Sequence, residues 1–494
     1  MPVFSVNVKW GRETYKEVEC NTDEEPMLFK AQLFGLTGVL PERQKVMMSG
    51  KTLGETWTGF PQLAANKTLL LMGSKEEDIS KPPPEKIKFV EDMNDTEIAT
   101  AMDMPLGLAN LGNTCYMNAT IQCLKTIPEL TGALKQYTGG VSASEPSESV
   151  TSALRDLYKA MDAGVAIPPI ILLQTLHSAF PRFAERGEQG VWMQQDANEL
   201  WTEVVRMLQQ KLTPAERTKY SSLIDQYMGG KLAVEMKCDE SEEEPATPSE
   251  ENFLQLSCFI STDTKYMHSG LVSKLSEKIT KNSPTLGRDA VYTKTSKIDR
   301  LPAYLTVQMV RFFYKTIGTN AKVLRDVKFP MSFDAYDLCT KQLQDKLIPM
   351  REKFKELEDA ETQKKLSLKD KKPAAGKSDK KVNGLPFSFA DDPGSNNSGF
   401  YELRAVLTHK GRSSSSGHYV AWVKHSEDVW LMCDDDNVQP VTSEDVLKLS
   451  GGGDWHIAYV LLYGPRILEQ PEAAKESTEA KATVSSDAEK MSTD

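Results

Sequence analysis

Three side chains that often act together in catalysis, a cysteine, a histidine and an aspartate, occur in this chain far apart in sequence. Cys115 lies in the run GLANLGNTCYMN (107–118), His418 lies in SGHYVAW (416–422), and a run of three aspartates begins at Asp434. A thiol nucleophile, its base and the group that orients the base must lie within hydrogen-bond reach of one another. We therefore expect one large catalytic region that brings distant segments together.

The bulk composition is that of an ordinary globular protein. The 494 residues are 39% hydrophobic and carry a net charge of -11, which disfavours nucleic acid and anionic membranes as main partners because both attract positive surfaces. No run approaches the ~18 uninterrupted apolar residues of a membrane span, and the N-terminus has no signal-peptide core. Seven scattered cysteines do not suggest a disulfide framework. We expect a cytoplasmic protein that also enters the nucleus.

Residues 1–74 have the pattern of a compact ββαβ unit. Alternating residues predict a hairpin around Gly11. Apolar residues at helical spacing then predict a helix over Pro26–Thr37, and a closing strand follows at Thr68–Met72.

The segment after this helix, PERQKVMMSGK (41–51), makes the unit resemble ubiquitin over nearly its whole length. The unit does not end in a free Gly-Gly, so it cannot be conjugated as ubiquitin is, and we interpret it as a docking domain. Met47 and Met72 fall where ubiquitin keeps its partner-binding apolar patch. A place in the core is an equally good interpretation of both methionines.

The rest of the chain divides by composition. Residues 75–100 are charged and contain three consecutive prolines, as in an extended linker. The catalytic region is predicted over 101–466, with low-order inserts near 239–251, which is acidic, and at 361–384, which is lysine-rich. The tail, 467–494, is rich in Ala, Glu, Ser and Thr and is predicted to be disordered.

Cys115 is predicted to lie at the start of a helix. Apolar residues recur at helical spacing after it, and Asn113 and Thr114 before it are typical capping residues. The positive end of a helix favours the thiolate, which is the reactive form, and its N–H groups can stabilise an oxyanion. Cys123, in an apolar context further along the same helix, is predicted to be a core residue instead.

A hairpin is predicted to bring His418 and Asp434 together. If the hairpin is antiparallel and centred near Ser426, His418 lies directly across from Asp434, and Trp422 pairs with Trp430. All four side chains then share one face, because side chains alternate along a strand. A slip of one residue would break this arrangement.

Asp434 is then predicted to bind one ring nitrogen of His418 and leave the other facing the thiol. The aspartate run could instead be an acidic turn or a metal loop, but it lacks further oxygen ligands at regular spacing, so we expect no metal. The Gly/Ser segment 411–417 beside the base has the composition of a mobile lid, and an ordinary hairpin loop is the alternative.

The contexts of Cys115 and His418 closely resemble the Cys and His boxes of the ubiquitin-specific proteases. The resemblance implies an α+β fold, in which a papain-like cysteine protease domain with fingers, palm and thumb follows the ubiquitin-like β-grasp domain. In that family the asparagine five residues before the nucleophile donates to the oxyanion, which is Asn110 here. Many members hold zinc with two Cys-x-x-Cys pairs. This chain offers only Cys238 and Cys258 there, so we expect no zinc.

The resemblance also implies where the substrate binds. The run QQDANE (194–199) matches a box whose acidic groups meet the arginines of ubiquitin's tail. This assigns Asp196 and Glu199 to the substrate, although acidic residues in a first helical turn are the simpler alternative. Tyr419 and Asp435 are further substrate-binding residues on the same comparison.

The function implied is hydrolysis of isopeptide and peptide bonds at the C-terminal glycine of ubiquitin, without a cofactor. A ubiquitin-like unit before such a catalytic region resembles the proteasome-associated members of the family. The expected partners are therefore ubiquitin, polyubiquitinated proteins and the regulatory particle of the proteasome. The alternatives are a noncatalytic ubiquitin-binding regulator of the proteasome and a general papain-like protease.

Overall fold

The protein is described here from a computed structural model. The described residues are 3–73, 105–142, 144–164, 168–187, 190–214, 218–314, 320–367, 383–413, 416–426, 429–453 and 455–470. The chain folds into two compact units, Met1–Ile98 and Ala99–Asp494. The linker predicted over 75–100 lies outside the described residues, as do most of the insert at 361–384 and most of the tail at 467–494.

The first unit is a five-stranded sheet packed against one helix, as the sequence predicts. Its elements are β1 (Val3–Trp10), β2 (Glu13–Asn21), α1 (Pro26–Thr37), β3 (Lys45–Met48), β4 (Lys51–Thr52) and β5 (Thr68–Met72). The strand order is β2-β1-β5-β3-β4, with β1 and β5 parallel. Gly38 ends the helix in the left-handed conformation, with φ of 72°, and its N–H donates to Phe34 O.

The second unit contains nine further helices within the described residues. They are α2 (Cys115–Lys125), α3 (Pro128–Gln136), α4 (Pro146–Asp162), α5 (Ile170–Ala179), α6 (Ala197–Lys211), α7 (Leu223–Tyr227), α8 (Met267–Leu275), α9 (Lys341–Ser367) and α10 (Ser443–Leu447). No helix in the described ranges combines the length and apolar character that a membrane span requires.

The strands of the second unit form one large sheet, a fingers sheet and two short pairs. They are β6 (Gly230–Cys238), β7 (Thr247–Phe253), β8 (Leu256–Phe259), β9 (Ser276–Ser283), β10 (Arg288–Arg300), β11 (Leu305–Val310), β12 (Phe312–Tyr314), β13 (Asn320–Lys322), β14 (Ser332–Asp334), β15 (Asn383–Gly384), β16 (Phe400–Ser413), β17 (Ser416–Lys424), β18 (Val429–Asp434), β19 (Asn437–Thr442), β20 (Ile457–Pro465) and β21 (Glu469–Gln470). The large sheet has the order β19-β18-β17-β16-β20-β11-β8, and β14 also pairs with β16.

The large sheet separates two hydrophobic cores, and strand β17 shows how. Tyr419, Ala421 and Val423 pack in the core that contains helices α2 to α7. Val420 and Trp422 point to the opposite core, which includes residues of α8 and the start of α9. Because side chains alternate along a strand, this one segment closes both cores.

The acidic segment 239–251 is ordered, so the predicted low-order insert is wrong here. Strand β7 covers its second half and pairs with β6, in a fingers sheet of order β7-β6-β10-β9. The Glu244 carboxylate accepts bonds from the hydroxyls of Tyr292, at 2.7 and 2.9 Å, and Ser283, at 2.7 Å. Glu240 accepts a bond of 2.8 Å from a backbone N–H of β10. The composition of this segment predicts solvated carboxylates, but Glu240 and Glu244 accept hydrogen bonds that connect the segment to strands of the fingers sheet.

Candidate active site

Cys115 is the first residue of α2, as predicted, with Thr114 at the N-cap. The Thr114 side chain accepts from the N–H of Leu111, 2.9 Å away, and does not cap the helix itself. The N–H groups of Met117 and Asn118 donate to the Thr114 carbonyl, at 3.0 and 3.1 Å, and the N–H groups before them lie at the open end of the helix. Cys115 is only 2% exposed, and Cys123 is a buried core residue of the same helix, as predicted.

His418 and Asp434 meet as the sequence predicts, although the strand register is different. The ring Nε2 of His418 lies 2.5 Å from Asp434 Oδ1. Trp422 pairs with Met432, not with Trp430, which stands opposite Lys424. The predicted pairing of the two tryptophans is therefore wrong by two residues.

The turn explains this difference. His425 and Ser426 both donate backbone N–H bonds to Val429 O, at 3.0 and 3.1 Å, so the turn is centred one residue later than predicted. Moving the centre by one residue shifts every partner by two. A shift of two keeps each side chain on its face, because the side-chain period is two. His418 therefore reaches Asp434 diagonally.

The ring of His418 is held as a cation. Its interaction with the Cys115 thiol raises the pKa of His418, and so does the bond to Asp434, while partial burial opposes them; the resulting pKa is about 9. A histidine normally titrates near pH 6.5. The geometry therefore supports an imidazolium beside the sulfur at neutral pH, which is the arrangement that stabilises a thiolate.

Asp435 links the segment around Cys115 to the segment around His418. Its Oδ2 accepts from Asn110 Nδ2 and its Oδ1 from Asn118 Nδ2, both at 2.9 Å. Its backbone carbonyl accepts the N–H of Leu108 at 2.8 Å. Asp435 follows the end of β18 in a turn, with φ of 51°, so strand alternation does not set its direction.

A close approach of two backbones accompanies this link. A Cβ atom on Gly107 would lie 2.4 Å from the carbonyl oxygen of Asp436 and 2.6 Å from that of Asp435. Any residue larger than glycine would push the two segments apart. The glycine that opens the run around Cys115 therefore has a packing role.

The side chain of Asn110, in the segment before the nucleophile, forms hydrogen bonds through both its oxygen and its nitrogen. Its Oδ1 accepts from the N–H groups of Gly112, at 3.0 Å, and Thr114, at 3.1 Å, while its amide donates to Asp435. The amide nitrogen carries two N–H groups and Asp435 accepts one of them, so the second is available to an oxyanion. Its role as oxyanion donor stays a prediction.

Two acidic residues predicted to bind substrate have partners within the chain. Asp196 caps α6 by accepting the N–H of Asn198 at 2.7 Å, and it receives the Tyr459 hydroxyl at 2.8 and 2.9 Å. Burial raises the pKa of Asp196, against these hydrogen bonds. Glu199 is exposed and pairs with Arg182 at 2.7 Å. Both contacts with substrate stay predictions.

Tyr419 is in the core rather than on an open surface. Its side chain is 1% exposed, and its ring centroid lies 4.6 Å from that of His409. A substrate contact by Tyr419 requires a movement of its neighbours and stays a prediction.

His418, Asp434 and Asp435 form the one group of three potential metal ligands with atoms within 4.8 Å of one another in the described ranges. Asp434 Oδ1 is bonded to His418, and both oxygens of Asp435 are bonded to asparagine amides. Cys238 and Cys258, considered for zinc in the fingers, are buried in different hydrophobic clusters. The expectation of no metal stays a prediction.

Two residues of the site were missed from the sequence. Asn118 donates to the carbonyl of Leu108 at 3.0 Å as well as to Asp435, and its position about one helical turn after Cys115 was the available signal. His456 packs against His418 with ring centroids 6.2 Å apart. Its sequence context favoured only a structural role.

Comparison with known proteins agrees with this geometry. Residues 106–463 match the family described as ubiquitin carboxyl-terminal hydrolase. Ubiquitin carboxyl-terminal hydrolase 14 of Caenorhabditis elegans is 42% identical over 488 residues, covering 95% of this chain and 94% of that protein. Ubiquitin carboxyl-terminal hydrolase 6 of Arabidopsis thaliana is 40% identical over 483 residues, covering 94% of this chain and 99% of that protein.

Among solved structures, the chain resembles one described as the SAGA Ubp8/Sgf11/Sus1/Sgf73 DUB module bound to ubiquitin aldehyde. The TM-score is 0.50 at 21% sequence identity, with 77% of each chain covered. At this identity the likeness concerns the fold of the catalytic unit alone.

Proposed function

This chain belongs to the ubiquitin carboxyl-terminal hydrolase family, and from that premise we propose that Cys115, His418 and Asp434 carry out its thiol-dependent hydrolysis at the C-terminal glycine of ubiquitin. The observation that carries the assignment is the His418 ring held between the Cys115 thiol and Asp434, 2.5 Å from its carboxylate.

The chemistry follows from these positions. The Cys115 thiolate attacks the carbonyl of the ubiquitin glycine, and a tetrahedral oxyanion forms. The N–H groups at the start of α2 stabilise it, together with the amide N–H of Asn110 that Asp435 does not accept. The C–N bond then breaks as His418 gives its proton to the leaving amine, which leaves a thioester. Water, deprotonated by His418, hydrolyses the thioester and releases the ubiquitin carboxylate.

Recognition of ubiquitin's tail falls to the acidic residues at the start of α6. Glu199 is exposed and pairs with the guanidinium group of Arg182. An arginine of ubiquitin's tail would present the same group to Glu199. Asp196 is partly buried and caps α6, and it would act by fixing the start of α6 and Tyr459.

The assignment is tested with a ubiquitin probe that carries an electrophile at its C-terminus. The wild-type chain is expected to form a covalent adduct and Cys115→Ala to form none, while Cys123→Ala, in the same helix, is the matched control and keeps labelling. Labelling of Cys115→Ala would overturn the assignment. Absence of labelling in the wild-type chain would favour a noncatalytic ubiquitin-binding regulator instead.

We further propose that the first unit docks this cytoplasmic enzyme on the regulatory particle of the proteasome, where it trims polyubiquitinated proteins. Three apolar side chains on the outer face of its sheet support the proposal. Met72 is 52% and Leu70 43% exposed, and partly exposed Met47 stands opposite Leu70. Exposed apolar side chains grouped on one face are typical of a protein-binding surface.

Docking is tested by co-sedimentation of the full chain with purified proteasome. Met72→Arg is expected to weaken co-sedimentation because it places a charge in the apolar face. Phe34→Arg, on the exposed side of α1, is the control and should bind as the wild type does. Equal binding by both variants would show that docking does not use this face.

A further inference from the structure

The ring of His456 lies against the ring of His418. Their centroids are 6.2 Å apart with an angle of 68° between the planes, an edge-to-face contact. His456 comes immediately before β20 in the sequence, and it is 7% exposed. Nothing in the chemistry of the nucleophile, base and orienting carboxylate uses this second histidine.

Buried partners fix His456 from behind. Its Nδ1 lies 3.3 Å from Thr408 Oγ1, which donates to Val420 O at 3.1 Å and accepts the Trp422 indole N–H at 3.0 Å. Since the hydroxyl proton goes to Val420, Thr408 must accept from His456, so Nδ1 carries the ring proton. The Trp422 ring also packs edge-to-face on His456, with centroids 6.3 Å apart. Thr408 is fully buried and Trp422 is 4% exposed, so this support is rigid.

We propose that His456 is a positioning residue for His418: its ring fixes the plane of the His418 imidazole so that one nitrogen faces Cys115 while the other binds Asp434. The proposal rests on the hydrolase function proposed above. The interactions with Cys115 and Asp434 both act at ring nitrogens, in the plane of the ring, and leave the ring free to tilt about the line that joins them. Gly417, just before His418, adopts a φ of 126° and adds little restraint of its own. The edge-to-face contact with His456 prevents this movement of the His418 ring.

The charges around His456 are consistent with this role. Burial lowers the pKa of His456 to about 4, and His418 lowers it too; Lys410 and Lys322 act in the same direction, against Asp434. With the pKa of His456 at about 4 and that of His418 at about 9, His456 is neutral and His418 is charged at neutral pH. A neutral ring can support the imidazolium, whereas a second cation at this place would repel it.

The test is steady-state hydrolysis of a ubiquitin C-terminal fluorophore amide by the full-length enzyme, with active enzyme counted by the electrophilic ubiquitin probe. His456→Ala is expected to lower kcat by about 10-fold or more, since small misplacements of a catalytic group are costly, and to leave KM within about 2-fold. His456→Phe keeps an aromatic ring and should stay within about 3-fold of wild type, whereas His456→Asn keeps a hydrogen-bonding group without the ring and should resemble His456→Ala.

A second readout separates positioning from mere folding. A loosely held His418 loses part of the contact with Cys115 that raises its pKa, so the alkaline limb of kcat/KM should move to lower pH in His456→Ala. A purely structural role would lower the amount of active enzyme and leave the limb in place. If His456→Ala does not fold, His456→Asn, which keeps a hydrogen-bonding group near Thr408 without the ring, is expected to move kcat and the limb in the same directions.

The outcomes keep this proposal distinct from the proposed function. Wild-type hydrolysis that Cys115→Ala does not abolish would overturn the function itself. The role of His456 alone would be overturned if His456→Ala had the kcat of the wild type and an unchanged alkaline limb of kcat/KM, while hydrolysis still depended on Cys115. Equal kcat in His456→Phe and His456→Ala would also refute it, because the ring would then not be the feature that matters.

Discussion

Replacing Asp392 with alanine removes the centre of a buried charge cluster at the root of the fingers. The Asp392 carboxylate accepts from Arg300 at 2.9 and 3.2 Å and from the Tyr220 hydroxyl at 2.7 Å, and Lys219 lies 3.3 Å away. Arg300 ends strand β10 and also donates to the carbonyl of Gln226 in α7 at 2.7 Å. The cluster therefore ties the fingers sheet to the helical side of the catalytic unit.

The expected cost can be worked out from the burial of the pair. The side chains of Arg300 and Asp392 are 7% and 14% exposed. Removing one partner of such a pair costs about 3–5 kcal/mol, because the other charge remains buried without its counterion. Arg300 keeps the carbonyl of Gln226, so we expect the lower end, about 3 kcal/mol. At about 2 °C per kcal/mol for a unit of this size, the unfolding temperature should fall by about 6 °C.

Thermal unfolding of the full chain, followed by scanning fluorimetry, measures this fall. Asp391→Ala is the matched control, because the neighbouring carboxylate is exposed; an exposed substitution changes stability by about 0.5 kcal/mol or less, or roughly 1 °C. Asp392→Asn, which keeps one acceptor oxygen, should fall between them. If Asp392→Ala and Asp391→Ala unfold at the same temperature, the cluster does not hold the two regions together and the argument is wrong.

Two further predictions concern the reaction. Because the folded pKa of His418 is raised to about 9, the proton it donates is present below that pH and lost above it, so kcat/KM should decline above about pH 9. Asp434→Asn removes one cause of the raised pKa, so it should move this decline to lower pH and reduce kcat by about 100-fold. A decline that stays at the wild-type pH in Asp434→Asn would contradict the assignment of Asp434. Arg182→Ala frees Glu199 and should lower KM for the ubiquitin substrate by up to about 5-fold, which corresponds to the free energy of an exposed ion pair. Arg206→Ala, which removes another exposed arginine of the same surface, is the control. An unchanged KM in both variants would mean that Glu199 does not bind the tail of ubiquitin.

The sequence predicted correctly those elements whose first and last residues are determined by neighbouring residues. Helix α1 and strand β5 have the predicted limits, because a proline begins the helix, a left-handed glycine ends it and the strand is a short apolar run. Met72 is exposed, which favours the surface interpretation over the core interpretation. In each of these cases the residues that decide the structure are neighbours in sequence.

The failures come from partners that are distant in sequence. The segment 239–251 has the composition of a solvated loop, yet Glu244 finds Tyr292 and Ser283, each some 40 to 50 residues away. No local pattern announces such partners. The same holds for Asp196, whose position before a helix predicted a cap but not the Tyr459 hydroxyl, which comes from the last long strand.

The site itself was predictable to the extent that its geometry depends on alternation and not on register. The hairpin slipped by two residues, and Trp422 lost its predicted partner, yet His418 still reaches Asp434 because both side chains kept their face. Alternation does not extend to Asp435, which follows β18 in a turn with φ of 51° and binds Asn110 in the segment that carries the nucleophile. Two consecutive carboxylates, the last residue of β18 and the first of the turn, thus hold the base and the surroundings of the nucleophile. The left-handed turn, which alternation does not predict, is what brings the second carboxylate to Asn110 and Asn118.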